Sequence, residues 1–176
     1  MKSDYRVRAR RFIISVLPYI EDCMKDTDEV KERIDEYNRD RSRKVEMVWG
    51  SARIALITSD YVVKWDYDDD CADELGGCYD EWLAYMQAKK EGFEYLLAET
   101  SLIVIDGHTF SIMPRIRAIG PRCHCGDIIN YLTPEEYIWI TKFDADIHHW
   151  NWGIRHGKAC VIDYAMTKEV IKRGWS

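Results

Sequence analysis

The chain has 176 residues, enough for one domain or two small lobes. Hydrophobic residues make up 47% and charged residues 32%, a balance that supports a core and excludes wholesale disorder. A formal net charge of -6 argues against a general nucleic-acid binder, and no apolar run reaches the roughly 20 residues that cross a bilayer. Arg6, Arg8, Arg10 and Arg11 are a local basic exception and read as a solvated helix face. The first residues lack the long apolar stretch of a signal peptide, so a cytoplasmic location is expected. Six cysteines (Cys23, Cys71, Cys78, Cys123, Cys125 and Cys160) should then be mostly free thiols. Cys123-His124-Cys125 faintly resembles a metal clip without a clear partner pair.

In chain order, residues 3–23 begin with apolar positions at helical spacing, Val7, Phe12, Ile13, Val16, Leu17 and Ile20, and Pro18 should kink or end that helix. Thr27 is placed to cap a second helix over about 28–41, with Val30, Ile34 and Tyr37 as its apolar stripe. From Val45 the pattern changes to three short strands joined by tight turns, ending on Tyr61-Val62-Val63-Lys64-Trp65. The acidic run Asp66 to Asp70 reads as a solvated loop. Residues 79–91 read as a helix with Trp82, Leu83, Tyr85 and Met86 as its stripe and Gly92 at its end. Asp106-Gly107 between two β-branched runs is a hairpin signal, and Pro114 stops the second run. Asp127–Leu132 reads as a short helix. Thr133-Pro134-Glu135-Glu136 opens a helix to about Lys142. Ala159–Ile162 is a last apolar strand, and 166–174 a short terminal helix. The layout is α+β: residues 1–44 a helical extension, 45–116 a five-stranded antiparallel sheet with one helix, and 117–176 a mainly helical part.

The segment Asp144-Ala145-Asp146-Ile147-His148-His149-Trp150-Asn151 carries the most chemistry, together with Asp163 twelve residues after Asn151. Phosphoryl transfer needs a carboxylate to orient the acceptor hydroxyl, and an amide oxygen with a second carboxylate to hold magnesium against the phosphates. His148 and His149 could alternatively join Cys123 and Cys125 in a zinc site. A lysine such as Lys64 on an edge strand could also simply snorkel.

Here the sequence resembles the protein-kinase-like superfamily. Asp146 and Asn151 have the catalytic-loop separation, and Asp-Ile-His-His-Trp-Asn is similar to the loop of aminoglycoside and choline kinases. Val161-Ile162-Asp163-Tyr164 looks like that family's magnesium-binding segment, and Tyr61-Val62-Val63-Lys64 like the strand whose lysine holds the α- and β-phosphates. The resemblance implies ATP and Mg2+ as cofactors. It implies a catalytic role for Asp146, Lys64 and Glu81 (Glu74 as runner-up) and metal ligation by Asn151 and Asp163. Nucleotide contacts would come from Gly50, Ser51, Lys64, Met113 and Arg115, with Met113-Pro114-Arg115 receiving adenine through backbone groups. Thirteen residues follow Asp163, so the C-lobe is expected to be truncated, without the usual peptide-binding helices. The two N-terminal helices are expected to cover the underside left bare. Small size resembles the compact kinases some bacteriophages encode, with a host or partner protein as substrate. The alternative is a pseudokinase that binds or scaffolds a partner.

Overall fold

The computed structural model describes residues 4–68, 77–119, 128–142 and 151–164. Two helices come first. Helix α1 (Tyr5–Ile20) starts at Asp4, whose carboxylate accepts from Arg6 N–H, and it runs through Pro18 for two more residues. Helix α2 (Thr27–Asn38) is capped by Asp26, whose carboxylate accepts from the Asp28 and Glu29 N–H groups at 3.0 Å each. Thr27, the cap expected from sequence, is instead the first helical residue. A carboxylate one position earlier also complements the helix dipole.

Strands β1 (Glu46–Trp49), β2 (Arg53–Ile57), β3 (Tyr61–Asp66), β4 (Ser101–Ile105) and β5 (His108–Pro114) form one antiparallel sheet in the order β1-β2-β3-β5-β4. The β4–β5 turn has both Asp106 (φ 51°) and Gly107 (φ 86°) in the left-handed region, which Asp and Gly tolerate best. Period-2 alternation divides the sheet. Ile54, Leu56, Val63, Trp65, Phe110 and Ile112 face the apolar sides of α1 and α2 in one core. The N-terminal helices therefore cover the outer face of the sheet, not the underside of the C-terminal part. The reason is composition, since that face is apolar along every central strand and must be buried.

The other face receives helix α3 (Cys78–Glu91), which Gly92 ends at φ 83°. Its buried positions are Cys78, Asp80, Glu81, Ala84 and Ala88. The expected stripe of large residues is displaced: Trp82, Leu83 and Tyr85 lie at the flank and Met86 is exposed. Alanines let the helix approach the sheet closely, which brings Glu81 within reach of a strand. Asp66 does not belong to a solvated loop either. Both its oxygens accept from Cys78 N–H (3.0 and 3.2 Å), fixing the start of α3.

A one-turn 3-10 segment (Glu94–Leu96) leads to β4. Helix α4 (Pro134–Lys142) begins with a reciprocal cap: Glu136 N–H donates to Thr133 Oγ1 (3.2 Å) and Thr133 N–H to Glu136 Oε2 (2.7 Å). Strands β6 (Trp152–Arg155) and β7 (Lys158–Val161) form a separate hairpin, turned by His156 (φ 52°) and Gly157 (φ 80°). The apolar run Ala159–Ile162 anticipates β7, whereas β6 was not expected, because four residues containing a glycine carry little strand pattern. Trp152, Val161, Trp139, Ile140, Leu97, Ala84 and Ala88 share a second core beneath the sheet. The short helix expected at Asp127–Leu132 falls partly, and the one at 166–174 wholly, outside the described residues. No helix among the described residues is long and apolar enough to cross a membrane.

The hairpin meets the segment after β5 at Gly153, which bridges Ala118. A Cβ there would lie 2.5 Å from Ile116 Cγ2 and 2.9 Å from the Arg117 carbonyl oxygen. Ile116 can rotate, but a backbone carbonyl cannot. Gly153→Ala is expected to destabilise by about 1–3 kcal/mol, read as a lower urea midpoint.

Candidate active site

Residue Lys64 lies on β3, a central strand, opposite Ala55 of β2 and Ser111 of β5. It is 7% exposed, which rules out the snorkelling reading. Its Nζ donates to Glu81 Oε1 at 2.8 Å and lies 3.3 Å from Asp163 Oδ1. Glu81 is wholly buried, and its second oxygen accepts from Ser111 Oγ at 3.2 Å. A buried carboxylate needs such partners, and the α3–sheet contact supplies them. Glu74, the runner-up, lies outside the described residues.

Arg53 was not anticipated. Alternation along β2 places it on the Lys64 face with Ala55. Its Nη1 is 3.2 Å from Glu81 Oε1, and Nη2 donates to Asp163 Oδ1. The signal was available in the strand period, since Arg53 sits two residues from the partner of Lys64. Two cations and two carboxylates thus close one network across the sheet, α3 and the residues after β7.

Burial opposes ionisation of Asp163, but Lys64 and then Arg53 outweigh it and hold the carboxyl down at about 2. The unfolded chain, with an ordinary carboxyl near 3.8, therefore binds more protons between about pH 4 and 2. This contribution is complete above that window and lost as pH falls through it. Asp163 is half-exposed, so solvent screening reduces it to about 1 kcal/mol. Acid titration of unfolding is expected to show a slope in this window that Asp163→Asn flattens.

Asn151 and Asp163 are brought together by the hairpin. Trp152 pairs with Val161, and Ile162 N–H donates to the Asn151 carbonyl at 2.7 Å. Both residues consequently leave the open end of the β6–β7 ladder side by side. Asp146, His148 and His149, and the Cys123 and Cys125 of the metal clip, lie outside the described residues. The described thiols Cys23, Cys78 and Cys160 are free and buried; burial pushes Cys78 up to about 12, which makes it unreactive.

A cleft of about 640 Å3 opens between the sheet and the hairpin. Val48, Ala55, Val62, Met113 and Ile162 form its apolar walls, and Lys64, Asn151 and Asp163 also line it. Met113 and Arg115 line it too. Gly50 and Ser51 do not: they form the β1–β2 turn, where their carbonyls accept from Tyr67 OH at 2.9 Å each. The backbone of Arg115 is also committed, because its N–H donates to the Asp60 carbonyl at 2.9 Å. Pro114 has no N–H, so this stretch offers no free amide donor at either position. Among the described residues no group of three or more His, Cys, Asp or Glu is placed to hold a metal. No protein-family model, no curated protein and no solved structure matches the chain.

Proposed function

We propose that the protein is an ATP- and magnesium-dependent phosphotransferase with a protein-kinase-like arrangement, acting on a hydroxyl of a host or partner protein in the cytoplasm. The observation that carries this reading is the buried Lys64–Glu81 pair beside Asp163, in the same cleft as Asn151. The sheet order, with α3 inserted between β3 and β4, supports it.

The residues present fit a nucleotide with magnesium. The cleft volume falls within the range of ligand sites, its walls accept a flat apolar ring, and a lysine cation lies at its base. Asn151 and Asp163 are hard oxygen donors, and two such ligands suffice for magnesium, which keeps waters and phosphate oxygens in its shell. When bound, magnesium neutralises phosphate charge as it builds on the transferred group. Glu81 takes one of the three Lys64 N–H donors at 2.8 Å; the other two make the longer contacts to Asp163 Oδ1 (3.3 Å) and the Ile162 carbonyl (3.4 Å), which phosphate oxygens would replace. Asp163 stays ionised throughout the neutral range because Lys64 and Arg53 favour its charged form. Asp146 would orient the acceptor hydroxyl and take its proton.

Incubating the protein with γ-labelled ATP and magnesium, alone and with cell lysate, tests the proposal. Label transfer is expected, and Asp146→Ala should abolish it while nucleotide binding survives. Absence of both magnesium-dependent ATP binding and transfer would overturn it.

Two observations favour a second reading, a pseudokinase-type binding protein. Asp163 is already held by Arg53 as well as Lys64, and the Gly50–Ser51 turn does not line the cleft. ATP binding with no transfer to any protein would select that reading.

A further inference from the structure

A second concave site lies at the β2–β3 turn and shares Arg115 with the rim of the cleft. It encloses about 420 Å3 and is lined by Arg8 of α1, by Arg41, Arg43 and Lys44 of the α2–β1 connection, and by Arg115 after β5. Asp60 is the one carboxylate lining it among the described residues. Five cations facing one carboxylate are unusual on a chain whose net charge is -6. We propose that this pocket binds a phosphate monoester, on a protein side chain or on a small molecule.

The cations are held in place. Asn38, at the end of α2, donates to the Val45 carbonyl (2.8 Å) and accepts from Val45 N–H (2.9 Å), closing the loop that carries three of them. Arg41 N–H donates to the Asn38 carbonyl at 3.1 Å, and the Arg41 guanidinium lies 3.7 Å above the Tyr37 ring. Stacking orients the guanidinium plane and leaves its edge donors to a ligand. The Arg115 side chain donates through Nη1 to the Thr58 carbonyl at 2.9 Å. Only Arg8 of the five has a carboxylate partner among the described residues, Asp60 at 2.7 Å. Lys44 Nζ donates to the Asn38 and Arg39 carbonyls at the end of α2, and Arg41, Arg43 and Arg115 have no carboxylate partner among the described residues. Such convergence has an electrostatic cost that a dianion removes, and guanidinium forks match phosphate oxygens.

The geometry favours a compact phosphate over a polynucleotide. The cations surround one pocket floored by Phe12, Tyr37 and Tyr61, rather than a stripe that tracks a backbone. The acidic remainder of the chain would repel a long polyanion.

Titration calorimetry at fixed ionic strength tests this with inorganic phosphate, a phosphoserine peptide and its unphosphorylated form. Saturable binding of phosphate and of the phosphopeptide alone is expected. The double variant Arg41→Ala/Arg43→Ala should weaken it at least about tenfold, since two charge-assisted donors are lost. Both side chains are exposed, so folding should survive, and Arg10→Ala/Arg11→Ala, outside the pocket, should bind as wild type. Saturating ATP with magnesium should not abolish peptide binding, since of the described lining residues only Arg115 is common to both sites; complete displacement would place the phosphate in the cleft and overturn the proposal. Phosphopeptide binding at least about tenfold tighter than phosphate would identify a protein-borne group, and equal affinities a small molecule. The proposal is overturned by no saturable phosphate binding, by binding unchanged in the Arg41/Arg43 variant, or by tighter binding of a single-stranded oligonucleotide.

Discussion

Glu81→Ala is expected to lower the unfolding free energy by about 3–5 kcal/mol, one of the largest single-residue effects in the chain. The carboxylate is wholly buried and stands between Lys64 at 2.8 Å and Arg53 at 3.2 Å. Its removal leaves two largely buried cations facing only Asp163, and Ser111 loses its acceptor. Glu81→Gln keeps the volume and an acceptor for Ser111 but not the charge, so an intermediate loss is expected. A double-mutant cycle with Lys64→Met isolates the pair, because the methionine removes the cation that Glu81 serves. Coupling of about 1–3 kcal/mol is expected from chemical denaturation. A loss below about 1 kcal/mol for Glu81→Ala would show that the network contributes little and that water or rearranged side chains replace it.

The second large effect is on chemistry rather than stability. On the proposed phosphotransferase reading, Asp163→Asn should reduce magnesium-dependent phosphoryl transfer by about 10^3-fold or more, because the proposed metal ligand, worth several kcal/mol of transition-state charge stabilisation, is lost. Near neutral pH the same variant should lose only about 1 kcal/mol of stability, since the side chain is half-exposed. This contrast discriminates. A carboxylate that merely ties Arg53 and Lys64 to the hairpin would move the unfolding midpoint and leave transfer intact. Transfer unchanged in a folded Asp163→Asn protein would remove this residue from the proposed magnesium site.

Much of the local structure was legible because short-range physics governs it. The Asp106-Gly107 turn, the Gly92 stop and the Thr133–Glu136 cap each depend on φ preference or on hydrogen bonds within a few residues. The pairing of Lys64 with Glu81 was anticipated only through resemblance. Nothing local could have shown it, since seventeen residues separate the partners and the α3 face that carries Glu81 is chosen by its alanines. Arg53 was missed because an arginine before an apolar strand reads as a solvated end until the neighbouring strands bury it.

By itself, then, the amino-acid order determined most of the described helices and strands, β6 excepted, where most of them stop, and which residue types could serve phosphate chemistry. The tertiary structure alone decided that the N-terminal helices cover the outer sheet face, that the Gly50–Ser51 turn stays out of the cleft, and that Arg53 joins Asp163. Those outcomes depend on which faces must leave water and on contacts up to 110 residues apart along the chain. Burial and charge pairing of that range have no signature in any short window of sequence.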